Sequence, residues 1–257
     1  MNLPLLKYFI KKNWKIWAIF TAIHIFYLSV ITAMSTDPLM RESMEFLNMG
    51  MGGGMLSDVF IAQVVSGMAF FGLIVFVFSM IYYVIMSHKL AHKAVDSTTL
   101  SSHLSSSISR RQYIVTAAVF LAGSLFVLYL ILFTVSSVIL STFGSFNVGL
   151  WAAMVLTVFL CSLAVAMISF TCSTVFAGSK TAMPLLAGIP IAFGMFMMLS
   201  TYIEFFKWFT PFRWFKAGDI GIGMFDTWWV FALGFAAVSA VLFVICIKVF
   251  ERKQLSI

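Results

Sequence analysis

Apolar residues fall into six long runs separated by short polar stretches: Trp14–Met34, Val59–Met86, Tyr113–Leu140, Val148–Phe176, Ala182–Tyr202 and Trp228–Phe250. A helix needs about 20 apolar residues to cross a hydrocarbon core roughly 30 Å thick. Lipid offers the backbone no hydrogen-bond partner, so runs of this length predict helices. The pattern predicts an all-α membrane protein of six transmembrane helices, with residues 1–257 forming a single transmembrane domain. Several runs are long enough to tilt or to extend past the bilayer.

The stretch before the first run has a different pattern. Between Leu3 and Lys15, Leu5, Leu6, Phe9 and Ile10 alternate with Lys7, Lys11 and Lys12. This predicts an N-terminal interfacial helix lying on the membrane surface; a charged flank that stops translocation is the alternative. The apolar run that follows is too long for a signal peptide, and no small-residue cleavage site stands at the right distance.

Composition narrows the class. Of 257 residues, 62% are hydrophobic and 10% charged, against about 45–50% and about 25% in soluble domains. A soluble enzyme would lack the polar surface to face water on all sides, and 29 Phe residues argue against disorder. Cys161, Cys172 and Cys246 all sit within apolar runs and form no CxxC pair. They read as small buried hydrophobes.

Charge sets an orientation. With the N-terminus inside, the inner segments carry twelve Lys or Arg residues and two acids, and the outer segments four and seven. The positive-inside rule then places both termini in the cytoplasm of a multi-pass plasma-membrane protein. The net charge of +7 reflects this topology and calls for no nucleic-acid partner. All seven Trp residues fall near predicted interfaces, as an aromatic belt would place them: Trp14, Trp17, Trp151, Trp208, Trp214, Trp228 and Trp229.

Two loops carry candidate chemistry. The outer loop Ser35–Asp58 contains Met40, Met44, Met49, Met51 and Met55 beside Gly50 and Gly52–Gly54. Thioethers suit Cu(I), but they equally suit a loop packing adaptably over the outer end of a bundle, which is the reading we favour. In the inner loop His88–Gln112, Asp96 or Ser97 can cap a helix. Leu100, Leu104 and Ile108 then recur every four residues as a narrow apolar stripe, and seven serines between Ser97 and Ser109 keep the other faces polar. Such a helix suits docking into a groove on a cytoplasmic partner, or lying on lipid headgroups.

Three segments, in order, resemble type-2 ABC exporter permeases. Lys93-Ala94-Val95-Asp96-Ser97-Thr98-Thr99-Leu100 followed by Leu104-Ser105-Ser106-Ser107-Ile108-Ser109-Arg110 is similar to that family's cytoplasmic loop. Phe206-Lys207-Trp208-Phe209-Thr210-Pro211-Phe212-Arg213-Trp214-Phe215 is similar to its outer segment before the last span, and Phe250-Glu251-Arg252-Lys253-Gln254-Leu255 to its ending. Ala94, Thr98, Ser107 and Gln254 depart from the usual acid, Gly, Pro and Asp. The resemblance implies a coupling helix between spans two and three, with Asp96, Thr99, Leu100, Leu104, Ile108 and Arg110 seating in separate nucleotide-binding ATPase subunits. It implies short re-entrant helices between spans five and six, where Phe205, Phe206, Trp208, Phe209, Phe212, Trp214 and Phe215 pack an outer gate. It also implies a second copy or a related permease as partner, and a bacterial membrane.

The resemblance leaves ATP and Mg on the partner ATPase. This chain carries no P-loop: Gly178-Ser179-Lys180-Thr181 lacks the required glycines, and its inner loops are too short for an ATPase core. No metal site is expected: HExxH is absent, and His88 and His92 stand four apart with no acid or cysteine patterned beside them. No catalytic residue is assigned. Within the spans His24, Gln63 and Ser66 are pathway candidates, although His24 equally suits a hydrogen bond to a neighbouring helix, which we favour. The cargo expected from an apolar, aromatic interior is a hydrophobic or amphipathic peptide, toxin, drug or lipid. A copper-related permease and a stand-alone intramembrane enzyme or channel are the alternatives.

Overall fold

The computed structural model describes residues 2–34, 37, 39, 42, 58–92, 108–177, 182–200 and 202–252. All regular structure among them is helical. In chain order the helices are α1 (Leu3–Met34), α2 (Asp58–Ala91), α3 (Arg110–Ser141), α4 (Val148–Val175), α5 (Ala182–Leu199), α6 (Ala217–Gly221) and α7 (Trp228–Arg252). Two 3₁₀ turns, Glu204–Phe209 and Pro211–Arg213, lie between α5 and α6. Five helices, α1, α2, α3, α4 and α7, are long and apolar enough to cross a membrane. The fifth apolar run yields only 18 helical residues, about 27 Å at 1.5 Å per residue. It ends at Leu199, short of the expected Tyr202, because the chain turns back into the 3₁₀ segment.

Local sequence explains the boundaries. Asn2 Oδ1 accepts from the Leu5 amide at the start of α1. The helix then runs unbroken to Met34, so the expected separate interfacial helix is instead the first three turns of the spanning helix. Nothing in residues 3–15 breaks helical geometry: no Gly occurs there, and Pro4 sits in the first turn, where proline is tolerated. Ser109 opens α3 with a capping box, its hydroxyl accepting from the Gln112 amide while the Gln112 side chain accepts from Ser109 N–H. Asn147 caps α4 through the amides of Gly149 and Leu150.

Interhelical contacts give an up-and-down arrangement. Asn2 N–H donates to Thr116 Oγ1 and the Tyr113 hydroxyl to the Leu90 carbonyl. Arg111 lies 3.6 Å from Glu251. These contacts gather the start of α1, the end of α2, the start of α3 and the end of α7 at one end of the bundle. At the other end, Thr32 meets Ser66 and the Trp151 indole donates to Ser136. Helix α4 is the central staff, with 78% of its most apolar stretch buried, against 22% for α7 and 28% for α1. The outer faces of α1 and α7 are apolar and exposed, as lipid-facing surfaces are.

Candidate functional site

The most unusual backbone lies in α2. Ser66–Ile74 is a π-helix of nine residues, and Val75 N–H closes onto the Phe70 carbonyl five residues back. Long π stretches are rare and gather at functional positions. This one seats the chain between α5 and α7. An added Cβ on Gly67 would stand 2.9 Å from Gly218 Cα, and one on Gly218 would stand 2.5 Å from Met68 Cγ. Only two glycines allow the backbones of α2 and α6 to approach this closely, the device by which small residues join membrane helices.

Several side chains fix this seat. Gln63 donates its amide to the Gly221 carbonyl at 3.2 Å. Trp151 is fully buried, packs edge-on to Phe71 at 5.6 Å between ring centroids, and donates to Ser136 Oγ at 2.8 Å. A Cβ on Gly221 would come within 3.0 Å of the Trp151 ring. Lower down, Phe212 stacks on Phe76 at 4.2 Å and 28°, and Phe215 meets both Phe76 and Phe235. Phe76 lies near the middle of the 34-residue α2, so Glu204–Gly221 folds back deep along the bundle before α7 begins. Gly223, with φ at +79°, makes the turn out of α6, a conformation that glycine adopts without strain.

The second feature is a buried polar chain through four helices. His24 on α1, Ser79 on α2, Tyr129 on α3 and Ser162 on α4 are all buried. His24 Nδ1 lies 2.6 Å from the Phe20 carbonyl, which can only accept, so Nδ1 carries a proton. Nε2 lies 3.2 Å from Ser79 Oγ. Hydroxyl–hydroxyl hydrogen bonds continue the chain, between Ser79 and Tyr129 at 3.3 Å and between Tyr129 and Ser162 at 2.6 Å. The chain satisfies polar groups that lipid could not and ties the helices together.

The sequence candidates sort as follows. His24 belongs to the polar chain, Gln63 to the seat, and Ser66 bonds Thr32 at 2.8 Å. All three are buried and hydrogen-bonded between helices. The seven aromatics divide. Phe212 and Phe215 are buried; Phe205, Trp208, Phe209 and Trp214 are exposed; and Phe206 is half-buried. Phe206 stacks on Phe196 at 5.5 Å with Phe205 and Phe209 around it, while Trp214 stacks on Phe235. The Glu204 carboxylate, bonded by Lys207 at 2.7 Å, is held below its ordinary value by that hydrogen bond and charge.

Asp96, Thr99, Leu100 and Leu104 lie outside the described residues, as does most of the Met-rich loop. Ile108 and Arg110 do not continue an inner-loop helix. Ile108 is non-helical and packs partly buried against the core, and Arg110 is the first residue of α3, because the Ser109 capping box starts the helix there. Trp151, expected in an interfacial belt, is instead wholly buried. Sequence reading missed Ser79, Tyr129, Ser162 and the Gly67–Gly218 pair. A lone hydroxyl or glycine in an apolar run carries no signal until its partner helix is known. Among the described residues, no group of three or more His, Cys, Asp or Glu side chains could hold a metal ion.

Comparison with known proteins finds no matching family model, no matching curated protein and no matching solved structure.

Proposed function

We propose that this chain is the membrane permease subunit of an ATP-driven exporter of the type-2 ABC kind. In this reading α5 serves as a sixth span, both termini face the cytoplasm, and two such subunits stand side by side above separate ATPases. One observation carries the reading. Between the fifth and sixth apolar helices the chain forms short helical turns that fold back to Phe76, at the place where the resemblance puts the outer re-entrant helices. The charge asymmetry supports the orientation.

The packing supports a mechanism for this reading. Closure of the ATPases would push on the inner loop between α2 and α3 and tilt both helices. Span α2 carries the π stretch that holds α6, so its movement would shift Glu204–Gly221 and change access on the outer side. The polar chain from His24 to Ser162 would keep α1 to α4 moving as one body. An interior of aromatic and aliphatic side chains suits hydrophobic or amphipathic cargo such as peptides, toxins or drugs. The coupling assignment is tested by Leu100→Asp combined with Leu104→Asp: the ATPase should dissociate or lose stimulation by cargo. An assembled complex with unchanged stimulation would refute it.

A further inference from the structure

A groove of about 360 Å³ runs between α1 and α3 at the end of the bundle where α1 begins. That volume lies within the range of ligand clefts, about 300–1,000 Å³. Its walls are almost wholly apolar: Leu6, Ile10 and Trp14 on α1, and Val119, Gly123 and Val127 on α3. Ile10 and Trp14 are half exposed, at 50% and 53%. The floor is held in place because the Trp17 indole donates to the Ser124 carbonyl at 2.9 Å. Gly123 keeps the groove open: an added Cβ there would meet nothing within 4 Å. Packing within the chain therefore does not require a glycine at this point of a helix.

A stripe of cations runs beside the groove on α1. Lys7, Lys11 and Lys15 each follow one of the three α1 groove residues, Leu6, Ile10 and Trp14, so each sits about 100° round the helix from it. All three are exposed, and no acid among the described residues pairs with them. Lys12, on another face, is occupied by the Tyr8 hydroxyl at 3.0 Å. An apolar slot flanked by a stripe of exposed lysines at the end of a bundle matches one chemistry: acyl chains beside an anionic headgroup. Lysine stems can lie along the apolar wall while their ammonium groups reach a phosphate.

We propose that this groove binds an anionic phospholipid from the leaflet at the N-terminal end of α1, its acyl chain against Ile10, Trp14 and Gly123 and its headgroup among Lys7, Lys11 and Lys15. The proposal rests on the apolar helices crossing a bilayer and is independent of the export reading. The test uses the whole chain purified in detergent. Phosphatidylglycerol and phosphatidylcholine with identical acyl chains are titrated in, and bound lipids are counted by native mass spectrometry. The unaltered chain should retain one phosphatidylglycerol in preference to phosphatidylcholine. Each exposed lysine near a headgroup contributes about fivefold in affinity, so combining Lys7→Gln, Lys11→Gln and Lys15→Gln should reduce the preference by on the order of 100-fold. Gly123→Leu, or Val127→Phe as a second groove-filling change, should weaken retention of both lipids with the charges intact. Equal retention of the two lipids by the unaltered chain would overturn the proposal. So would a preference that survives loss of the lysines, or binding that ignores both groove-filling changes, which would mark a diffuse attraction to charge.

Discussion

Replacing Trp151 should be among the most damaging single changes to this fold. The side chain is wholly buried, its ring packs against Phe71 and Gly221, and its indole N–H donates to Ser136 at 2.8 Å. Trp151→Ala removes the ring and leaves a cavity where α3, α4, α6 and the π stretch of α2 converge. Large aromatic-to-Ala changes in cores cost about 3–5 kcal/mol. Trp151→Phe keeps most of the packing and loses the hydrogen bond. A bond between membrane helices is worth about 0.6 kcal/mol on average and up to about 1.7. Ser136 is not stranded by that change, because its hydroxyl already donates to the Phe133 carbonyl. The expected order is therefore Ala well below Phe, and Phe modestly below the natural chain. Trp229→Ala, at a position 54% exposed, should shift stability by no more than about 0.5 kcal/mol. Unfolding of the purified chain in mixed micelles, followed by circular dichroism, reads all three. A Trp151→Ala variant as stable as Trp229→Ala would refute the packing argument.

Other consequences can be measured in the same way. Gly67→Val should destabilise by at least about 1–3 kcal/mol, the cost of overpacking, because its side chain would collide with Gly218 backbone. Gly123→Ala, in open space, should be neutral or stabilise by up to about 1 kcal/mol from helix propensity alone; equal effects at the two sites would contradict the close approach of α2 and α6. A double-mutant cycle of Tyr129→Phe and Ser162→Ala should give a coupling near 0.6 kcal/mol and no more than about 1.7, and zero coupling would mean that the 2.6 Å bond contributes nothing. Glu204 titrates below its ordinary value because of Lys207, so the pair's stabilisation is present above that ordinary value and disappears as pH falls through the lowered one. Lys207→Ala should move the Glu204 carboxyl resonance back toward the ordinary value in a carbon-detected NMR titration, with global stability unchanged, as for exposed pairs in general. An unmoved titration would contradict the assignment.

Much of the fold was legible because lipid simplifies the code. Long apolar runs located α1 to α4 and α7 to within a few residues at most boundaries. Two of the misread boundaries have opposite causes. At Leu3–Lys15, lysines suggested a break, but nothing in the backbone chemistry interrupts the helix, so α1 runs through. At Tyr202, apolar residues continued past the helix end, because the 3₁₀ segment is itself apolar and aromatic. The site was harder to read. The positions of Phe212 and Phe215 could be anticipated only as part of an aromatic cluster; which members turn inward depends on Phe76 and Phe235, far away in sequence. The π stretch in α2 has no composition signal beyond Gly67 and Gly72. Trp151 looked like a belt residue because it opens a span, and its burial is set by α6 packing above it.

The most direct test of the export reading is purification of the whole chain from its native membranes in mild detergent, with identification of co-purifying proteins and assay of ATP hydrolysis. The account predicts a stoichiometric soluble partner carrying a P-loop and vanadate-sensitive ATPase activity. A chain that emerges alone from several gentle extractions, without ATPase activity, would contradict it.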